Sequence, residues 1–241
     1  MPNYAEFHHK TLTEAEAFWG EQAKRIEWKT PPQTICDYSN PPFVKWFVGG
    51  TTNICHNAVD RHAAKRPNDA ALIAISTETN TEKTYSFAEL QREVEHMAAS
   101  LKSLGVQKGD RVLIYMPMIA EACFAMLACT RIGALHCVVF GGFASGSLAT
   151  RIDDAEPKVI VSADAGSRGG KPVPYKPLLD EAINLSKHKP DAVLLVDRGL
   201  STMNLVAGRD RLWGAEREKH LHTEGPCEWV DATHPSYTLY T

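Results

Sequence analysis

The sequence predicts a doubly wound α/β fold, a mainly parallel sheet with flanking helices, preceded by a helical and extended N-terminal wrap. Three observations carry this expectation. From Ala70 onward, short β-rich runs alternate with amphipathic segments about six times, the pattern of strands joined by crossover helices. Helix start and stop signals fall at the seams of that alternation. Finally, 241 residues with 44% hydrophobic and 23% charged content match ordinary globular usage and exclude disordered, collagen-like and supercharged classes.

At the N-terminus, Thr13-Glu14-Ala15-Glu16 has the spacing of a capping box and predicts a helix start there, with Ala17, Phe18, Ala23 and Ile26 as its apolar face. Thr30 to Gly50 carries four prolines and ends on two glycines. It predicts an extended, docked wrap anchored by Phe43, Trp46 and Phe47. A helix is expected from Asn53 to Pro67, a residue that cannot continue it. Strands are expected at Ala71–Ile75 and Thr84–Tyr85, followed by the capping box Ser86-Phe87-Ala88-Glu89. Behind that box Leu90, Val94, Met97, Leu101 and Leu104 recur at helical spacing up to Gly105. Further strands are predicted at Arg111–Tyr115, His136–Phe140, Val159–Ser162, Val193–Val196 and Tyr237–Tyr240. The helices between them fall at Ile119–Ile132, Leu148–Asp154 and Leu178–Leu185.

With 26 basic and 29 acidic side chains the net charge is −3, too balanced for a general nucleic-acid or anionic-membrane surface. Any phosphate site must be local. No run approaches 18 uninterrupted apolar residues, and the first ten residues lack a hydrophobic signal core. The six cysteines are scattered, which fits reduced thiols in a cytoplasmic protein better than a disulfide framework. Ten histidines form neither C-x-x-C nor H-E-x-x-H arrangements, so no metal site is expected.

Two loops combine glycine with groups that suit a phosphate. Phe140-Gly141-Gly142-Phe143-Ala144-Ser145-Gly146 joins a strand to a helix, where backbone N–H groups and the helix N-terminus favour a phosphate or purine; a tight turn would use the same glycines. Ala165-Gly166-Ser167-Arg168-Gly169-Gly170-Lys171 flanks two glycines with two cations, a fork and an ammonium between which an anion fits; a solvated polar loop is the plain alternative. It is not a Walker loop, because Ala165 and Pro172 occupy positions that motif reserves for Gly and Ser or Thr.

Longer runs carry a resemblance. Asn40 to Phe43, Thr52 to Arg61, Tyr115 to Ala122, Val138 to Ser145, Arg151 to Ala155 and Ser162 to Lys171 together resemble the N-terminal half of bacterial propionyl-CoA synthetases. These are acyl-adenylate-forming, AMP-binding enzymes close to acetyl-CoA synthetases. The resemblance implies residues 1–66 as an acetyl-CoA-synthetase-type helical and extended wrap and 67–241 as the first part of the AMP-binding α/β domain. It implies a two-step reaction with small-molecule substrates: propionate and Mg2+-ATP give propionyl-AMP and pyrophosphate, and CoA then displaces AMP. It further implies that Arg168, Gly169, Gly170 and Lys171 meet the CoA 3′-phosphate and that Phe140, Gly141 and Gly142 lie beside the CoA adenine. Lys171 stands where the relatives have Arg, which keeps the charge and loses the fork.

The phosphate loop, the ATP and Mg2+ contacts, the acyl pocket and the catalytic lysine of such enzymes all follow the point where this sequence stops. A truncated fragment, inactive alone and without catalytic or metal residues, is therefore expected. An acetyl-CoA synthetase fragment and a non-catalytic CoA-nucleotide-binding module are the alternative expectations.

Overall fold

The structure, a computed structural model, describes residues 3–223 and 225–240. Its contacts divide the chain into two units, one running up to Asn53 together with Glu228–His234, the other Ile54–Cys227 with the chain from Pro235.

The first unit opens with α1 (Tyr4–Thr13), capped by Asn3, whose Oδ1 accepts from Glu6 N at 2.9 Å while Asn3 N donates back to Glu6 Oε2 at 3.3 Å. That box replaces the one expected at Thr13. Thr13 instead closes α1 and donates its hydroxyl to His9 O at 3.0 Å, and α2 (Ala15–Ala23) starts at Glu14 without a side-chain cap. Because α1 buries no residue, it lacks the apolar periodicity that would reveal a helix. Within the expected wrap, β1 (Thr34–Asp37) and β2 (Lys45–Val48) form an antiparallel hairpin. Trp46 is its anchor, with ring centroids 5.8 Å from Trp19 and 5.9 Å from Phe47. Phe43 is not an anchor: it lies 73% exposed in the turn, away from the strands that pack. The short β3 (Thr51–Thr52) pairs antiparallel with Val230–Asp231.

The second unit begins with a helix containing the π-turn His56–Asp60 and α3 (Arg61–Lys65), which stops before Pro67. β4 (Ala70–Ser76) and β5 (Thr81–Ser86) then pair antiparallel as a separate two-stranded sheet. The parallel pattern therefore starts later than Ala70, since four residues between strands cannot make a crossover. Ser86 caps α4 (Phe87–Ser103) as the sequence predicts, with both bonds of the box to Glu89 formed at 2.8 and 3.3 Å.

From there the alternation is regular. β6 (Arg111–Met116), α5 (Ala120–Arg131), β7 (Leu135–Phe140), α6 (Ser145–Ala155) and β8 (Val159–Ala163) follow in order. Next come β9 (Ala165–Arg168), β10 (Lys171–Pro174), α7 (Tyr175–Leu185), β11 (Ala192–Val196), β12 (Asp210–Leu212) and α8 (Trp213–Lys219). The main sheet runs β12-β11-β8-β6-β7, with Tyr237–Thr238 as its far edge, and every pairing in it is parallel. Period-two alternation sorts its side chains between two layers. Val112, Ile114, Val159, Val161 and Leu194 pack with α4 and α5 residues such as Met97 and Phe124, whereas Leu113, Tyr115, Ile160, Val193 and Leu195 pack with Leu148, Ile152 and Leu179 of α6 and α7.

Two histidines are expected to make this unit acid-sensitive. His96 on α4 is buried, His136 on β7 stacks on Tyr237 at 5.7 Å, and the Nδ1 atom of each is buried without a hydrogen-bond partner. Burial is the leading cause that lowers both from the usual histidine value. The native state thus favours the neutral rings, while the unfolded chain protonates near pH ~6.5. The stability they contribute is full above that value and is lost as pH falls below it. The melting temperature is expected to drop between pH ~7 and pH ~5, and His136→Phe, which keeps the stack and removes the titration, is expected to flatten the drop. An unchanged slope in His136→Phe excludes a contribution from that ring.

Candidate functional site

In the strand order the chain leaves β6 for β7 on one side and returns to β8 on the other, so the carboxyl ends of these strands surround a topological switch point. A cavity of about 650 Å³ lies there. Pro117 and Met118 after β6, Phe140 to Ala144 after β7, and Ser167, Arg168 and Tyr175 beyond β8 line it.

Two tyrosines shape its floor. Tyr115 is fully buried at the end of β6, and its phenol lies 3.3 Å from Gly141 O and 3.2 Å from Phe143 O, holding the β7 loop by its carbonyls. Burial first, then Tyr175, pushes the Tyr115 phenol up to about 12, so it remains a donor. The Tyr175 ring lies 4.9 Å from that of Tyr115. Its hydroxyl fills the space where side chains of Gly141 and Gly166 would stand: a Cβ would come within 2.0 Å and 2.2 Å of the oxygen. The absent side chains thus admit a phenol from α7, a role distinct from the ligand approach expected of the loop glycines.

The segment carrying Arg168 and Lys171 is a hairpin and not an irregular loop. β9 and β10 pair antiparallel, and Gly169 and Gly170 turn between them at φ +58° and +77°, values glycine adopts without strain. Arg168 and Lys171 are directly opposed in the register, so their side chains leave the same face of the ribbon. Both are exposed. Of the seven residues singled out in sequence, Phe140, Gly141, Gly142 and Arg168 line the cavity, while Gly169, Gly170 and Lys171 form the hairpin tip beside Arg168. Phe140 presents a 74% exposed ring.

Residues without a local sequence signal hold the hairpin in place. The carboxylate of Asp164, fully buried, accepts from Ala165 N at 2.8 Å, Leu200 N at 2.7 Å and Ser201 N at 3.2 Å. It thereby joins the start of β9 to the loop after β11. Arg198 in that loop donates to Ala165 O and to Ser76 Oγ, both at 3.1 Å, and pairs with Glu78. Glu78 also borders the cavity, and its pairing leaves Arg168 as the cation an anionic ligand would meet there. An apolar strand running straight into Asp164 is the one clue the sequence offers to that residue.

One group of three metal-type donors occurs among the described residues: Cys55, Asp60 and Cys227, whose ligand atoms lie within 4.8 Å of one another. Arg131 already occupies its centre. The Nη1 of this residue, only 2% exposed, stands 2.9 Å from both Asp60 oxygens and 3.5 and 3.4 Å from the two sulfurs. A guanidinium supplies the positive charge that a metal would bring, so the group is an ion-pair cluster and not a ready metal centre.

A family model described as AMP-binding enzyme matches residues 59–241, and one described as acetyl-coenzyme A synthetase N-terminus matches residues 4–58. Over 239 residues the chain is 57% identical to a propionate–CoA ligase of Salmonella typhimurium and 55% identical to one of Escherichia coli. An acetyl-coenzyme A synthetase of Streptomyces coelicolor is 44% identical over 247 residues. These matches cover 98–99% of this chain and 36–38% of the relatives, so the chain spans little more than a third of their length. Among solved structures, acetoacetyl-CoA synthetase from Streptomyces lividans aligns with a TM-score of 0.88 at 28% identity, covering 100% of this chain and 36% of that one. With a family match over most of its length and a parallel sheet that opens a cavity at its switch point, the chain belongs to the AMP-binding enzyme family.

Proposed function

We propose that this chain supplies the CoA-nucleotide face of an AMP-forming ligase that converts propionate, ATP and CoA to propionyl-CoA, AMP and pyrophosphate. The observation that carries the reading is the position of Arg168. It lines the cavity with Phe140, Gly141 and Gly142, and Lys171 stands opposite it on the same ribbon face. The residues present fit the nucleotide end of CoA: a forked guanidinium takes a phosphate by two parallel bonds, an ammonium adds a point charge, and an exposed phenyl ring offers a face for a purine. Propionate is favoured over acetate because the chain is 55–57% identical to ligases named for the former and 44% identical to a synthetase named for the latter.

Within this reading, ATP and Mg2+ serve the adenylation step, and no contact to either is assigned to these 241 residues. Cytoplasmic residence belongs to the same proposal and rests on the scattered thiols. No described helix is long and apolar enough to cross a membrane.

Titration of the chain with CoA and with dephospho-CoA tests the assignment. CoA is expected to bind more tightly, and Arg168→Ala to remove most of that difference. The loss expected for an exposed charge-assisted contact is about tenfold or less. Equal weakening of both ligands, or no change in either, overturns the role of Arg168.

A further inference from the structure

A second cavity, of about 530 Å³, lies away from the nucleotide site and is lined by Gln91, Glu95, Arg131, Gly225 and Pro226. Cys227 follows directly in sequence, half-buried, and Cys55 lies fully buried within 4.8 Å of it, sulfur to sulfur. Neither thiol is in a disulfide. Each sulfur has the same two neighbours. The thiols reach Asp60 Oδ2 at 3.8 Å from Cys55 and 3.6 Å from Cys227, and Arg131 Nη1 donates to both sulfurs at 3.5 and 3.4 Å. A cation placed to hold a thiolate is the feature that makes a cysteine reactive, and here one guanidinium serves both sulfurs.

We propose that Cys55 and Cys227 form a reversible thiol–disulfide pair that is oxidised by exchange with a small-molecule disulfide of the glutathione disulfide class, admitted through the cavity beside Arg131. Cys227, the partly exposed member, attacks first. Its sulfur forms a bond to one sulfur of the small disulfide, the original S–S bond breaks, and one small thiolate leaves and takes up a proton. The Cys55 sulfur then attacks the Cys227 sulfur, expels the second small thiolate, and closes the Cys55–Cys227 bond. Two cysteine protons end on two small thiols. The cysteine pair loses two electrons and the small disulfide gains them.

Exposure, not acidity, sets this order of events: Cys227 is pushed up, first by its hydrogen bond with Cys55 and then by burial, and reacts only because it is the partly exposed sulfur with the Arg131 guanidinium 3.4 Å away. The same guanidinium stands 3.5 Å from the Cys55 sulfur and is placed to hold it for the second attack. The proposal does not depend on the ligase reading, because no residue in it touches the nucleotide cavity.

The test equilibrates the native chain in glutathione buffers of rising disulfide fraction, followed by acid quench, alkylation and peptide mass mapping. The expected result is loss of two of the six alkylation sites, appearance of a Cys55–Cys227 linked peptide, and its disappearance on adding dithiothreitol. Cys55→Ser is expected to stop at a single glutathione adduct on Cys227. Cys227→Ser is expected to leave Cys55 unmodified until the chain is unfolded. If either serine variant fails to fold, the wild-type map decides alone. Independent alkylation of Cys55 and Cys227 at every buffer ratio, or links from Cys227 to Cys36 or Cys123 as frequent as to Cys55, overturns the proposal.

Discussion

Arg131→Met is expected to destabilise the protein by about 3–5 kcal/mol, the cost of leaving buried charges without their partner. The arginine closes α5, where a cation also suits the carbonyl end of the helix. It is 2% exposed and donates to Asp60 at 2.9 Å, to Glu95 at 2.7 Å and to Gly225 O at 2.7 Å. Burial alone would lower its affinity for a proton, but Cys227, Cys55 and Asp60 outweigh burial and raise it, so the guanidinium stays charged. Methionine of similar length fills the space and takes the neutralising cation away from Asp60 and Glu95. For a chain of this size each kcal/mol lowers the melting temperature by about 2–4 °C, giving a drop of roughly 6–20 °C. Adding Asp60→Asn and Glu95→Gln to Arg131→Met is expected to recover part of the loss, since neutral amides need no cation. Thermal melts of the wild type, the single and the triple variant decide it. A single variant that melts within about 2 °C of the wild type shows that Arg131 is not what neutralises this cluster.

That cluster also marks the limit of what the sequence reveals. The parallel sheet was legible because Arg111–Met116, Val159–Ala163 and Ala192–Val196 are short apolar runs bounded by turns, and strands covered on both faces read that way. Ser86 with Glu89, and Gly105 at positive φ, were legible because caps depend on residues three or four apart. Arg131 was not legible as an ion-pair centre. Its partners come from α4, the π-turn and the chain after α8, and Asp60 and Cys227 lie 167 residues apart. No local pattern encodes such a contact.

The hairpin at Arg168 was missed for another reason. Its strands are short and contain glycine and two prolines, against strand propensity, and the signal lay instead in the two-residue Gly169-Gly170 turn. Along the candidate site, then, the loops and their cations were readable, while the groups that fix their geometry were not. Tyr115, Asp164, Tyr175 and Arg198 act across the sheet.

Gly141→Ala and Gly166→Ala are each expected to cost about 1–3 kcal/mol, the range for forcing an extra methyl into a packed interior. A Cβ at Gly141 would stand 2.0 Å from the Tyr175 oxygen and 2.5 Å from its Cζ; at Gly166 the distances are 2.2 and 2.6 Å. Tyr175 has little freedom to withdraw. It is 6% exposed, its ring packs 4.9 Å from that of Tyr115, and its backbone N donates to Asp164 O at 2.9 Å at the start of α7. Gly141 belongs to the loop after β7 and Gly166 to β9, yet the same phenol penalises both. Their effects are therefore expected to be coupled, not additive, since a Tyr175 displaced by one methyl has already paid for the second. Tyr175→Leu, which removes the end of the ring, is expected to reduce the cost of either alanine by at least about half in a double-mutant cycle. Denaturant melts of the two singles, the glycine pair and the combinations with Tyr175→Leu give the coupling directly. Additive costs, unchanged by Tyr175→Leu, would mean that the glycines are kept for their backbone or for a ligand's approach, not for the wedge of Tyr175 between the β7 loop and β9.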